Sequence, residues 1–292
     1  MMSKCKRPPT LIDVTTLYTQ SRYYLTVMVV NIVKFINPKP FCVRLRVLMM
    51  SESKVYVIDV NTLVKILNNI LEVMKANEKY LTKLDADIGD ADHGINMVRG
   101  FQKVIELVSK ENPAKLDAGR VLQLTGMGLL QVVGGAAGPL YGMMFLEASK
   151  KVQGKKEITV KDFADLLEAG LKAVKMIGGG TVVGEKTMVD VLEPVTAKIK
   201  EIISKKDNID FIELLGEIVP FARECVLNTI PLQARKGRAS YLGERSKNHQ
   251  DPGATSTYLI IRTFYDTLKG GRGVRISEYD QETGRILKEE PI

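Results

Sequence analysis

The most informative stretch of the chain is Leu84-Asp85-Ala86-Asp87-Ile88-Gly89-Asp90-Ala91-Asp92-His93-Gly94-Ile95-Asn96-Met97, in which four carboxylates fall within eight residues. Four like charges this close repel one another, so either a cation neutralises them or the segment stays solvated. The matching cation is hard and oxygen-seeking, Mg²⁺ or Ca²⁺, because no cysteine is near and only one histidine follows. A solvated acidic loop is the alternative that this stretch alone leaves open.

The spacing of these carboxylates indicates the kind of segment that carries them. Asp85, Asp90 and Asp92 stand at i, i+5 and i+7, which is too irregular for one face of a helix. The spacing suits a turn between two helices, with Gly89 and Gly94 permitting the bend.

Hydrophobic residues at helical spacing follow this loop and recur along most of the chain. Asp59 is placed to cap a first helix, and Thr159-Val160-Lys161-Asp162 resembles a capping box that opens a helix to about Ile177. Pro139 suits the first turn of another helix, and a last helix is expected from about residue 252 to 269. The sequence predicts an all-α fold of about eight helices with almost no strand signal.

Charge separates an N-terminal stretch from the rest. The 292 residues carry a net charge of +8, but residues 1–50 hold eight Lys or Arg and one Asp, so the remainder is close to neutral. The basicity therefore gives no support to nucleic-acid binding by the main body. We predict a basic extension at 1–49, one helical domain at 50–269, and a tail at 270–292 that forms a small hairpin around Glu282-Thr283-Gly284 or is loose.

Three interpretations of residues 1–49 compete: a disordered basic arm, a short added helix, or translated upstream sequence before a start at Met49 or Met50, which we favour. The apolar run at 23–36 is interrupted by polar residues and is shorter than the roughly 20 residues that span a bilayer, so no membrane segment is predicted. Three cysteines without paired spacing predict no disulfide framework and a reducing cytoplasm.

Two glycine-rich loops stand ahead of predicted helices, at 134–138 and at 178–187. The second nearly matches a phosphate-binding P-loop, but Glu185 intrudes before Lys186-Thr187 and no strand precedes the loop, so we reject a Walker site. Glycine-rich backbone ahead of a helix still presents N–H groups to phosphate. A flexible connection between helices is the alternative for both loops.

A third polar stretch, residues 235–255, is cationic and long for a loop. Its charge is opposite to that of the acidic loop. Cations here and carboxylate-held Mg²⁺ there would together hold a nucleotide polyphosphate, with Arg238 pairing with phosphate. A solvated basic loop is the alternative.

Four motifs, taken in order, resemble the nucleotide-binding L subunit of dihydroxyacetone kinase over about residues 51–269. The first is the acidic loop with Arg99-Gly100-Phe101 beyond it, and the second is Val133-Gly134-Gly135-Ala136-Ala137-Gly138-Pro139-Leu140-Tyr141-Gly142. The third is Lys186-Thr187-Met188-Val189-Asp190, and the fourth is the segment from Gly237 to Thr255.

The resemblance implies an antiparallel barrel of eight α-helices with a Mg-nucleotide site at one end. In that family the matching aspartates, Asp85, Asp90 and Asp92, hold two Mg²⁺ ions, and Asp87 is expected to face solvent. The positions that would line the nucleotide site are His93, Gly94, Ile95, Asn96, Ala136, Ala137, Gly179, Met188, Arg238, Asp251, Pro252 and Gly253.

The resemblance also implies a division of labour between subunits. The family holds ADP tightly as a cofactor. A phosphorylated M subunit recharges the nucleotide to ATP in place, and the phosphoryl group then passes to dihydroxyacetone held covalently on a His of the K subunit. Two histidines, His93 and His249, are present in this chain, and both fall in matched motifs.

The chain departs from the family pattern at two positions. Glu185 stands where the family usually has Asp, which lengthens the side chain by one methylene, and Ala137 stands where the family often has Ser. Two alternative functions stay open: a module that senses the ADP or ATP state and binds a transcription factor, and the nucleotide domain of a fatty-acid kinase. A homodimer is a further open alternative.

Overall fold

The computed structural model describes residues 54–206 and 208–292. The predictions for residues 1–49 lie outside these described residues. In the described part, eight α-helices follow one another along the chain: α1 (Val60–Ile88), α2 (His93–Lys110), α3 (Ala118–Val132), α4 (Ala137–Ser149), α5 (Val160–Ile177), α6 (Val189–Lys205), α7 (Phe211–Leu227) and α8 (Pro252–Leu268). Two 3₁₀ helices, η1 (Pro113–Lys115) and η2 (Arg238–Ser246), lie in the connections.

The helices form a closed ring. Each helix packs against its successor and α8 packs against α1, while connections of a few residues make most neighbours antiparallel. The predicted all-α antiparallel barrel is confirmed. An up-and-down ring has one consequence for function: α2, α4, α6 and α8 all begin at the same end.

Capping residues set the starts of several helices as the sequence predicts. The Asp59 carboxylate accepts a hydrogen bond from the Thr62 N–H at 2.6 Å. Thr159 and Asp162 form the reciprocal capping box that opens α5. These bonds satisfy backbone donors that a helix leaves unpaired in its first turn.

The interior of the ring is apolar. Residues such as Ile70, Phe101 and Phe211 are fully buried and belong to one continuous core. Gly94 serves this packing, and the predicted role in bending the chain is wrong for it. Gly94 lies inside α2, where an added Cβ would stand 2.1 Å from the Glu78 carbonyl oxygen, so the glycine lets α1 and α2 approach closely.

Two small antiparallel sheets complete the described fold, a feature that the weak strand signal did not predict in full. The strands β1 (Val57–Asp59) and β2 (Glu157–Thr159) pair at the end of the ring where α1 and α5 begin. The tail forms the hairpin alternative, with β3 (Val274–Tyr279) paired to β4 (Ile286–Pro291). Among the described helices, none combines the length and the apolar character that a membrane crossing requires.

Candidate functional site

A cavity of about 480 Å³ opens at the end of the ring where the four even-numbered helices begin. Its wall contains the last turn of α1, the acidic loop, the first turns of α4, α6 and α8, and the start of η2. Helix starts carry unpaired N–H groups and the positive end of the helix dipole. Four of them around one cavity favour an anionic ligand.

The three predicted metal ligands meet at this cavity. Asp85, Asp90 and Asp92 each offer a carboxylate oxygen, and these oxygens lie within 4.8 Å of one another. Asp85 sits in the last turn of α1, Asp90 in the loop, and Asp92 directly before α2. Three hard oxygen donors at this separation suit Mg²⁺, so the donor set fits the predicted metal.

The backbone around the acidic loop is shaped by Asp85. Its Oδ2 accepts hydrogen bonds from the N–H groups of Asp92, at 2.8 Å, and His93, at 3.2 Å. A Cβ on Gly89 would stand 2.1 Å from Asp85 Oδ1, so the glycine makes room for the carboxylate. The left-handed residue of the turn is Ala91, at φ 63°, so the turn does not take its left-handed bend from Gly89 or Gly94.

Arg238 links the acidic loop to the basic loop. Its Nε lies 3.0 Å from Asp90 Oδ2, and its side chain is otherwise well exposed at the cavity mouth. Gly237, at φ 62°, provides the turn that starts η2 immediately before it. The pair places a guanidinium beside the carboxylate triad, where it can also reach an anion in the cavity.

His93 and Tyr141 form a buried polar network behind the triad. His93 Nε2 lies 2.9 Å from Ser256 Oγ, which lies 2.8 Å from the Tyr141 hydroxyl. Burial lowers the pKa of His93 despite the opposing effect of Asp85 and Asp92, so the ring is neutral at pH 7. Burial also raises the pKa of Tyr141 to about 12.

Asp251 caps α8 at the floor of the cavity. Its Oδ2 accepts the Ala254 N–H at 2.6 Å, and the whole residue is buried. Burial raises the pKa of the Asp251 carboxyl to about 7. A Cβ on Gly253 would lie 3.2 Å from Asp251 Oδ2, so glycine leaves room for the capping carboxylate.

Lys186 serves a structural role at this end of the ring. Its side chain is buried, and its Nζ donates to the carbonyl oxygens of Thr229, at 2.7 Å, and His249. Burial lowers the pKa of Lys186 to about 8. Asp190 holds the same loop by accepting the N–H groups of Gly184 and Thr187. The lysine ties loops together and is not presented to a phosphate as in a Walker site.

Most of the predicted nucleotide-site residues line the cavity. The metal triad is joined there by His93, Ala136, Ala137, Met188, Arg238, Asp251, Pro252 and Gly253. Four predicted residues are not in its wall. Ile95 points outward and is half exposed, Gly94 packs on α1, the buried Asn96 accepts a hydrogen bond from Arg99, and the Gly179 carbonyl accepts one from Lys236.

Three further residues of the motifs lie outside the predicted ligand set. Asp87 was expected to face solvent and is partly exposed, while its carboxylate pairs with Lys83 at 2.5 Å and lies 3.8 Å from His249 Nδ1. That histidine is outside the cavity wall. Glu185, one of the two departures from the family pattern, turns back to accept the Val182 N–H at 3.1 Å.

The cavity also has an apolar side that sequence reasoning missed. Ile88, Leu140 and Tyr141 fall inside the quoted motifs, but the motifs gave no sign that these side chains face the ligand, and the other members come from the end of α5 and from loops. The members of this side are Ile88, Leu140, Tyr141, Val174, Ile177 and Thr181, together with the cationic Lys236. A cavity with a charged side and an apolar side suits a ligand that has both characters.

Comparisons with known proteins identify the family of the chain. Residues 87–266 match the family described as DAK2 domain. The chain is 42% identical over 191 residues, 65% of this chain and 89% of the relative, to the PEP-dependent dihydroxyacetone kinase, ADP-binding subunit DhaL, of Escherichia coli strain K12. It is 35% identical over 209 residues, 72% of this chain and 98% of the relative, to the PTS-dependent dihydroxyacetone kinase, ADP-binding subunit DhaL, of Lactococcus lactis.

A solved structure shares the fold. The native dihydroxyacetone kinase of C. freundii superposes with a TM-score of 0.54 at 24% identity, over 72% of this chain and 35% of that chain. The matched segment is thus about a third of that longer protein. The coverage and identity of the DhaL relatives establish the family that the motifs indicate. The chain belongs to the DAK2-domain family of ADP-binding L subunits of dihydroxyacetone kinases.

Proposed function

We propose that this chain is the nucleotide-binding subunit of a dihydroxyacetone kinase. It holds ADP or ATP with two Mg²⁺ ions in the cavity and transfers a phosphoryl group to dihydroxyacetone held on a separate K subunit. The single observation that supports it best is the carboxylate triad, with ligand oxygens within 4.8 Å, at the edge of a cavity that four helix starts surround. We propose the cytoplasm as its location, as the cysteine usage predicts.

The residues have distinct roles in this proposal. Asp85, Asp90 and Asp92 hold the metal ions, which when bound draw charge from the phosphate oxygens. Arg238 pairs with phosphate and is the residue that we assign to catalysis. The backbone N–H groups at the starts of α4 and α8 add fixed positive charge on the same side, and such donors need no reorganisation when charge shifts during transfer.

Supply of the acceptor by another protein is supported by what the two histidines do here. His93 is buried and bonded to Ser256, while His249 lies outside the cavity wall beside Asp87. Neither is placed to anchor a ketone covalently next to the triad. A partner that closes the mouth would also exclude water from the phosphoryl group.

The donor is the second part of the division of labour. The relatives from Escherichia coli and Lactococcus lactis are named PEP-dependent and PTS-dependent kinases. We propose that a phosphorylated M subunit recharges ADP in place, so that the nucleotide acts as a retained cofactor.

Native mass spectrometry of the purified chain tests the proposal. We expect a mass increment equal to ADP and two Mg²⁺ per chain, and removal of both by EDTA. A chain that carries no nucleotide and gains no mass when ADP and Mg²⁺ are added would contradict it. The total mass in the same spectrum also shows whether the chain is a monomer or a homodimer.

A further inference from the structure

The turn of the C-terminal hairpin, residues 280–285, lies between two segments that carry site residues. One is the last part of α1, which contains Asp85, and the other is the segment before α8, which leads into Asp251. The Asp280 carboxylate organises this turn by accepting the Thr283 N–H at 2.7 Å, and Gly284, at φ 72°, completes it. We call residues 280–285 the hairpin tip.

The hairpin tip contacts α1 directly beside the triad. The Tyr80 hydroxyl donates to the Gly284 carbonyl at 2.7 Å, and Lys83 Nζ donates to the Gln281 carbonyl at 2.7 Å. A Cβ on Gly284 would stand 2.1 Å from Leu84 Cδ2, so the tip touches the residue that precedes Asp85.

The hairpin tip contacts the other segment through Gln250, which is fully buried. The Gln250 N–H donates to the Thr283 carbonyl at 2.7 Å. The side-chain amide donates to the Tyr80 hydroxyl and to Thr255 Oγ1, both at 2.8 Å. Tyr80 therefore accepts from Gln250 and donates to the tip, so one hydroxyl connects α1, the tip and the residue before Asp251.

We infer that the hairpin tip is a positioning element of the nucleotide site, with Tyr80 and Gln250 as its positioning residues. The tip fixes the end of α1 and the start of α8 relative to each other, and thereby the separation of Asp85 and Asp251 across the cavity. Neither Tyr80 nor Gln250 lines the cavity, so both act through other residues. The inference concerns the site named under the proposed function and rests on that function for its effect on nucleotide.

A matched pair of tyrosines tests the inference. Tyr80→Phe removes the hydroxyl at the tip. Tyr258→Phe removes a buried hydroxyl that donates to Glu289 Oε1 at 2.8 Å, which anchors β4 of the same hairpin. We expect Tyr80→Phe to weaken ADP–Mg²⁺ binding by about tenfold, the low end of what a lost outer-shell partner costs at a metal site. Tyr258→Phe is expected to lower the melting temperature as much as Tyr80→Phe does and to leave the affinity for ADP–Mg²⁺ unchanged.

A matched pair of glycines repeats the test without removing a hydrogen bond. Gly284→Ala pushes the tip off Leu84, beside the triad. Gly273→Ala creates the same kind of collision far from the triad, because a Cβ there would stand 2.3 Å from Val73 Cγ2. Both glycines have positive φ, 72° at Gly284 and 132° at Gly273, so both substitutions carry a backbone cost, and the larger one falls on the control. We expect weaker nucleotide binding from Gly284→Ala alone.

Hydrogen exchange in the nucleotide-free protein gives a readout that does not depend on the proposed function. We expect faster exchange at residues 251–255 in Tyr80→Phe and Gly284→Ala than in their controls. Equal exchange and equal affinity within each pair would overturn the inference. A wild-type chain that binds no nucleotide would overturn the proposed function, while the exchange difference would still report whether the tip fixes the start of α8.

Discussion

Asp92 is the member of the triad whose removal tests the metal site most cleanly. It precedes α2, but its side chain makes no capping hydrogen bond there, whereas Asp85 accepts two backbone N–H groups. Asp92→Asn should therefore abolish retention of Mg-nucleotide while changing the free energy of unfolding by only about 0.5 kcal/mol. Loss of one negative charge also relieves repulsion in the triad.

Asp87→Asn is the control for Asp92→Asn, because Asp87 lies in the same stretch but pairs with Lys83 on α1. We expect it to retain nucleotide. Native mass spectrometry and thermal melting of both variants make the comparison. Nucleotide at wild-type stoichiometry in Asp92→Asn would show that the triad assignment is wrong.

The raised pKa of Asp251 makes the stability of the nucleotide-free protein depend on pH. This pKa is about 7 in the folded state and about 3.8 as an ordinary carboxyl, so the folded state binds its proton more tightly. The stability that this proton contributes is complete below about pH 4 and is lost as pH rises through about 7. Lys186 acts in the opposite direction, because its pKa falls to about 8, and stability rises from there toward pH 10.5.

Asp251→Asn should remove the loss of stability that occurs as pH rises through about 7. An asparagine oxygen still accepts the Ala254 N–H, and asparagine caps helices as well as aspartate does. The variant should exceed the wild type at pH 7.5 by a few kcal/mol, on the order of 1.4 kcal/mol for each unit of pKa shift, and the difference should shrink toward pH 4. Urea unfolding of EDTA-treated protein at both pH values measures this difference. An equal difference in the free energy of unfolding at the two pH values would contradict the prediction.

Close packing between helices depends on glycines that a sequence pattern does not distinguish. Gly126→Ala would place a Cβ 2.6 Å from the Gly142 carbonyl oxygen, where α3 meets α4. A backbone atom cannot move away to relieve this contact as the end of a flexible side chain can. We expect a loss of about 1–3 kcal/mol in the free energy of unfolding. Gly216→Ala in α7 is the matched control, because its Cβ would lie at an ordinary 3.7 Å from Tyr265.

The Gly216→Ala control should gain about 0.5–1 kcal/mol, since alanine favours a helix more than glycine does. Chemical unfolding of both variants separates packing from helix propensity. Equal effects from the two substitutions would show that α3 and α4 do not approach as closely as described.

At the level of helices, periodicity and capping residues carried most of the prediction. Asp59 and Thr159 set helix starts that local chemistry alone determines, so the sequence was sufficient there. Gly94 was different, because its role depends on how near α1 comes to α2, and distances between elements are not encoded in local spacing. The hairpin had the same difficulty, since its short strands are stabilised by contacts with α1 and α8.

The candidate site also has residues that local chemistry predicts and residues whose roles depend on the distances between elements. Ligand chemistry indicated a hard cation at the acidic loop, and the family resemblance selected Asp85, Asp90 and Asp92 from its four carboxylates. Lys186 and the buried Asn96 sit in motifs of the site, yet one bonds backbone carbonyls and the other bonds Arg99. A motif gives the residues that hold a site together as well as those that touch a ligand, and only the side-chain directions separate them.

In the described molecule, the starts of the even-numbered helices place the anion-binding features at one end of the ring, and the cavity opens at that end. The exposed hydrophobic residues near the mouth include Met176, Val182, Val183 and Tyr241, of which Tyr241 is 87% exposed. They adjoin residues of the cavity wall such as Ile177 and Ala239. Exposed aromatic and aliphatic side chains around a functional opening are typical of an interaction surface.

We expect that the chain alone does not phosphorylate dihydroxyacetone. In-line transfer needs the acceptor within about 3–3.5 Å of phosphorus, and neither histidine is placed to hold it there. Mixing the chain with Mg²⁺, ATP and dihydroxyacetone should give product only when a K subunit is added. Robust turnover without it would place the acceptor site in this chain.

We expect that K subunit to dock on the exposed hydrophobic residues near the mouth. Tyr241→Ala should raise the concentration of K subunit needed for half-maximal turnover by about 30-fold, the equivalent of the roughly 2 kcal/mol that an aromatic hot spot contributes. Tyr56→Ala is the matched control, because Tyr56 is also exposed but lies beside β1, where α1 begins at the opposite end of the ring. Both variants should retain ADP–Mg²⁺ like the wild type, since neither tyrosine lines the cavity. Titration of K subunit into each variant measures the effect, and an equal response from the two tyrosines would mean that the partner docks away from the mouth.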